Sequence, residues 1–202
     1  MSSRRPSDEP AAAAAVTVPT AAVPVWDRVV RFAHWTLVAS VALAWLSTIA
    51  ALSGIGAWHQ PVGYAALVAV LARVLWGIVG PNRYARFAQF VRAPRATWAY
   101  VREVLAHREP RYLGHNPLGA WMIVALMACV LGLALTGWLY TTDRFWGDET
   151  VETAHEVLAW TLLGLAALHV AGVVYTSFRQ RENLVRAMLS GTKAAPRDRD
   201  IA

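Results

Sequence analysis

Four long apolar stretches punctuate the chain, at residues 32–52, 61–79, 118–140 and 157–178. A helix needs about 20 residues to cross a hydrocarbon core of about 30 Å, and each stretch has that length. Apart from Arg73 and several histidines, they contain no ionisable side chain. The pattern predicts an all-α membrane protein whose four helices form one bundle over residues 25–193. Residues 1–24, rich in Ala, Pro and Ser, are expected to form a disordered tail, and residues 194–202 a flexible C-terminal tail. In the long polar connection between the second and third stretches, Pro94 predicts the start of a short helix through His107. It would carry Trp98, Val101 and Leu105 on one side and Arg95 and Arg102 on another, an arrangement suited to an anionic membrane surface. A solvated basic loop is the alternative.

Composition agrees with the pattern. Of 202 residues 56% are hydrophobic and only 16% charged, where a soluble domain has about a quarter charged. The single cysteine, Cys129, excludes an intrachain disulfide, a Cys-ligated cluster and covalently attached haem. The net charge of +6 would suggest nucleic acid in a soluble protein, but its placement says otherwise. Arg4, Arg5, Arg28 and Arg31 precede the first span, seven arginines from Arg83 to Arg111 fill the central connection, and six basic residues follow the fourth span. The connections 53–60 and 141–156 hold one basic residue, Arg144, beside Asp143, Asp148, Glu149, Glu152 and Glu156. By the positive-inside rule both termini and the central loop are cytoplasmic. The charge excess then reports topology, and nucleic acid is not an expected partner. The N-terminal arginine pair is followed by Pro6-Ser7-Asp8-Glu9 instead of an apolar run, so the tail is read as cytoplasmic and not as an export signal.

Six histidines are present, and four of them, His34, His59, His155 and His169, lie within or at the ends of the apolar stretches. Ionisable groups there are costly and mark function by default. His155 and His169 are fourteen residues apart, a separation that returns to within about 40° of one helix face after about 21 Å of rise. With alternating helix directions, His59 meets His155 at the outer level and His34 meets His169 at the inner level. Two facing imidazoles in an apolar bundle suit the axial ligation of a b-type haem, so the four predict two haems b as cofactors. Arg73 lies fourteen residues beyond His59, which puts it on the core face near the inner pair, where a guanidinium would hold a haem propionate. Snorkelling to the headgroups is the alternative. Gly63, Gly132, Gly137 and Gly164 would give room beside the backbone, for a porphyrin or for ordinary helix packing.

The segments Val25-Trp26-Asp27-Arg28 through His34-Trp35, His59-Gln60-Pro61-Val62-Gly63-Tyr64, Arg73-Val74-Leu75-Trp76-Gly77 and Ala85-Arg86-Phe87 form an ordered series with Gly114-His115-Asn116-Pro117-Leu118-Gly119, Leu135-Thr136-Gly137-Trp138, His155-Glu156 and His169. The series resembles the bacterial cytochrome b561 and nickel–iron hydrogenase b-type cytochrome family, over roughly residues 25–193. The resemblance implies a four-helix protein of the inner membrane with two non-covalent haems on the four histidines. It implies electron transfer between a redox partner, such as a hydrogenase, a dehydrogenase or a cytochrome c, and the quinone pool. His115 matches a motif of some relatives and is a candidate quinone or haem-edge residue, with an ordinary pKa near 6.5 suited to proton exchange. It also fits as a helix-start residue ahead of Asn116 and Pro117.

An electron-transfer subunit is thus expected in preference to a stand-alone enzyme. The competing readings are a quinone reductase oxidising superoxide or another small substrate, against which the acidic outer loops count, and a haem-free membrane anchor. The outer acidic loop could equally dock a basic redox protein or be plain solvated surface.

Overall fold

A computed structural model describes residues 21–49, 56–197 and 200–201. The four expected spans are helices α1 (Arg28–Ile49), α2 (His59–Val79), α5 (Pro117–Tyr140) and α6 (Glu149–Gln180). Between α2 and α5 lie two short helices, α3 (Phe87–Phe90) and α4 (Pro94–Leu105), and α7 (Leu184–Ser190) follows α6. A two-residue strand, β1 (Val23–Pro24), pairs antiparallel with β2 (Thr192–Lys193). Most of the expected tail, residues 1–20, lies outside the described residues, as does the end of the first predicted span.

Polar caps fix the helix starts. Asn116 accepts from Gly119 N at 2.7 Å with Pro117 in the first turn of α5. Asp148 accepts from Thr150 N and Val151 N at 2.9 and 3.0 Å, so α6 begins at Glu149, well before the apolar run at 157. Its 32 residues extend about 48 Å, longer than the hydrocarbon core, and its acidic first turn suits the helix dipole. Asp27 receives Val30 N at 2.9 Å while its other oxygen receives Trp76 Nε1 at 3.0 Å and Asn82 Nδ2 at 3.1 Å. Burial alone would raise its pKa, but these donors to the charged form hold the carboxyl below its ordinary value. One side chain thus joins the start of α1 to the end of α2.

The bundle is two hairpins, α1 on α2 and α5 on α6, joined where α2 packs against α5. At the seam of α1 and α6, Trp45 and Trp160 meet with ring centres 5.0 Å apart. The mid-bundle core consists of Ala66, Val70, Met127, Cys129, Val130 and Leu162. Outward positions such as Val68, Leu75, Leu168 and Val170 are apolar and well exposed, as a surface facing lipid requires.

The Arg-rich end is closed by a second core of Val25, Trp26, Val30, Tyr84, Ala85 and Leu113. Gly191 ends α7 at φ 88°, where a side chain would be strained, and its carbonyl receives Val25 N and Trp26 N at 2.8 and 3.0 Å. The described residues after β2 make contacts with the rest of the chain. Leu113 N donates to Ile201 O at 2.9 Å, and the buried Arg111 pairs with Glu182 at 2.9 Å and with Asp200. The helix expected from Pro94 through His107 is present but stops at Leu105, and His107 takes φ 56°.

Candidate haem site

His59 opens α2 and His155 lies in the second turn of α6, and their ring centres are 6.1 Å apart with planes inclined by 63°. Nδ1 of His59 is 3.2 Å from the Ala44 carbonyl and 3.1 Å from Ser47 Oγ, both on α1. Nδ1 of His155 is 2.9 Å from Thr136 Oγ1 on α5, whose hydroxyl lies 2.9 Å from the Gly132 carbonyl. A carbonyl only accepts, so Nδ1 of His59 carries the proton; a Thr136 hydroxyl donating to Gly132 likewise accepts from Nδ1 of His155. Both rings thereby keep Nε2 as the unprotonated nitrogen, the one that binds metal. Gly137 admits the His155 ring, since a Cβ there would lie 3.3 Å from Cε1. Gly63, one turn from His59 on the same face, has open space where a Cβ would project. Gly164 is nine residues from His155 and so on the opposite side of α6. The polar partners Ser47 and Thr136 escaped the sequence reading, although hydroxyls inside apolar spans are a usable signal.

At the other end, His34 and His169 lie close enough to interact electrostatically, and both act on His115. The His34 ring stands edge-on to Trp35 at 5.2 Å, and its buried Nδ1 has no hydrogen-bond partner among the described residues. A buried imidazole nitrogen in that state requires an explanation such as an ion. Arg73 is folded into the bundle at 6% exposure. Its guanidinium carbon lies 5.1 Å from the Phe87 ring centre and it is attracted to Asp27. Gly77, one turn on, leaves the space that the Phe87 ring occupies.

His115 packs on Trp26 with ring centres 4.5 Å apart. Burial, then the cations of Arg73 and Lys193, depress its pKa to about 3. Burial beside these cations favours its neutral form. Lys193 donates to the Tyr112 carbonyl at 3.2 Å and lies 5.8 Å from the Trp26 ring centre. Burial lowers its pKa to about 8, opposed by Glu182. Between about pH 8 and 10.5 the unfolded chain binds this proton and the folded chain does not, so folding stability rises with pH across that window. Unfolding of the parent followed against Lys193→Met should show that rise in the parent only, on the order of 3 kcal/mol; equal slopes would refute it.

Comparison with known proteins decides the family. The family model described as prokaryotic cytochrome b561 matches residues 25–191. The chain belongs to the prokaryotic cytochrome b561 family. Its relatives include proteins named probable Ni/Fe-hydrogenase B-type cytochrome subunit. The one from Azotobacter vinelandii is 29% identical over 166 residues, covering 70% of this chain and 69% of the relative. Those from Rhodobacter capsulatus and Cupriavidus necator are 27% and 26% identical, covering 70% and 66% of this chain and 63% and 64% of the relatives. No solved structure gives a significant match. A cytochrome b561 is a membrane b-type cytochrome that transfers electrons, so a b-type haem is its cofactor. The residues fit that group. A metal–imidazole nitrogen bond is about 2 Å and the ring centre lies about 1 Å beyond. Two imidazoles sharing one iron would have ring centres about 6 Å apart, and His59 and His155 stand at 6.1 Å.

Proposed function

We propose that this cytochrome b561 holds two haems b, one between His59 and His155 and one between His34 and His169, and carries electrons across the inner membrane between a redox partner and the quinone pool. The observation that carries the reading is the His59–His155 pair at 6.1 Å, with each Nδ1 engaged by a protein oxygen. Bound haem supplies a one-electron iron couple. The chain's own residues set its surroundings. Ala44, Ser47 and Thr136 hold the outer imidazoles in one tautomer and orientation and raise their basicity as ligands. Apolar walls exclude water and so shape the redox potential. Arg73 is the cation proposed for an inner propionate, braced by Phe87 and balanced by Asp27. His115, packed on Trp26 beside the inner pair, is the residue proposed for the haem edge or a quinone site. The arginine distribution supports an orientation with both termini in the cytoplasm. The relatives' names support a nickel–iron hydrogenase as the kind of partner.

The test is the reduced-minus-oxidised spectrum of the purified chain with haem quantified, followed by reduction with a short-chain quinol. Two low-spin haems b per chain, both reducible by the quinol, are expected. One haem per chain would overturn the two-site assignment, a quinol without effect would remove the quinone pool, and no haem would leave a membrane anchor.

A further inference from the structure

An open groove of about 490 Å³ runs between α2 and α5 on the side of α3. Val74 of α2, Phe87, Ala88 and Val91 of the α3 segment, and Val124 and Met127 of α5 line it, and its lining is almost entirely apolar. Phe87 is the wall between the groove and Arg73. The chain leaves the groove at Val91 and passes directly into Arg92, Arg95 and Arg102, all exposed. Arg95 and Arg102, seven residues apart, share one side of α4. Next to them on the helix Trp98 and Leu105 stand 60% and 75% exposed. The opposite side of α4 faces the protein, with the buried Tyr100 edge-on to Tyr112 at 5.5 Å. Trp121 Nε1 of α5 donates to the Arg92 carbonyl at 3.2 Å, which pins the start of this segment beside the groove. Arg92 also lies within electrostatic reach of Tyr112.

We infer that the α2–α5 groove holds an acyl chain of an anionic phospholipid whose phosphate sits among Arg92, Arg95 and Arg102. The occupant follows from two properties found together. The groove offers only dispersion contacts and apolar burial, which suits a hydrocarbon chain. The segment at its mouth offers three cations and an exposed Trp–Leu pair, which suits a headgroup level where arginines meet phosphate and an indole meets the acyl boundary. A neutral isoprenoid would fill the groove but leave the arginines without a counter-charge. The inference does not depend on which histidines bind haem.

The full-length protein, placed in nanodiscs of equal parts phosphatidylcholine and phosphatidylglycerol and then stripped with detergent, is examined for retained lipid by native mass spectrometry. Phosphatidylglycerol is expected to be retained in preference. Each of Arg92→Gln, Arg95→Gln and Arg102→Gln should weaken that preference about fivefold, while the three Arg→Lys changes together should keep it. Ala128→Trp, which fills the groove, should lose the lipid while the haem spectrum reports an intact bundle. Equal retention of both lipids, a preference indifferent to the three arginines, or an isoprenoid in place of phospholipid would overturn the inference.

Discussion

Replacing His155 by alanine is expected to leave one haem b per chain in place of the two proposed for the parent, with the remaining haem keeping its low-spin spectrum. His59→Ala should give the same product, because the proposed outer site needs both imidazoles. The two rings come from helices in different hairpins, α2 and α6, and each Nδ1 is engaged by a further helix, α1 for His59 and α5 for His155. All four spans therefore converge on this one site. Thr136→Val removes the oxygen at 2.9 Å from His155 Nδ1 without touching Nε2. Loss of such a partner typically weakens metal affinity about 10–100-fold, so this variant should bind haem weakly and at a shifted midpoint potential. A chain that only packs its histidines would show no such shift. His107→Ala, in the loop, should keep two haems. Equal haem content in the parent, His59→Ala and His155→Ala would reject the assignment.

Arg111→Met is expected to be the most damaging single change away from the histidines. The guanidinium donates to both oxygens of Glu182 at 2.9–3.1 Å, to Asp200, and to the Ala194 carbonyl at 3.1 Å. All three charged side chains are at most 7% exposed. Removing the cation strands two buried carboxylates, a change that typically costs about 3–5 kcal/mol. The expected readouts are a large fall in the thermal half-life in detergent and rapid proteolysis after Gln180. Arg111→Met combined with Glu182→Leu and Asp200→Leu should recover much of the loss, since no unpaired charge then remains buried. An Arg111→Met protein as durable as the parent would show that the network contributes little.

The four spans were legible because their signal is local. Twenty apolar residues in a row form a helix in lipid whatever their neighbours do, since the bilayer offers the backbone no other partner. The ends were less legible. Asp148 caps α6 nine residues before the apolar run starts, and a length rule that counts only greasy residues does not see a cap.

What the sequence by itself determined is the number of spans, the asymmetry of charge between the two ends and the family motifs. What only the tertiary structure decided is lateral: which rings meet, what holds each Nδ1, and that Arg73 turns inward under Phe87. The closure of the Arg-rich end belongs there too, with residues 23–27, 111–113 and 191–201 knit through Gly191, Arg111 and Lys193. So does the burial of His115 against Trp26, beside the cations of α2 and β2. The physical reason is range. Helix formation and membrane depth depend on residues near one another in the chain, whereas hydrogen bonds, ion pairs and desolvation depend on groups that only folding brings together.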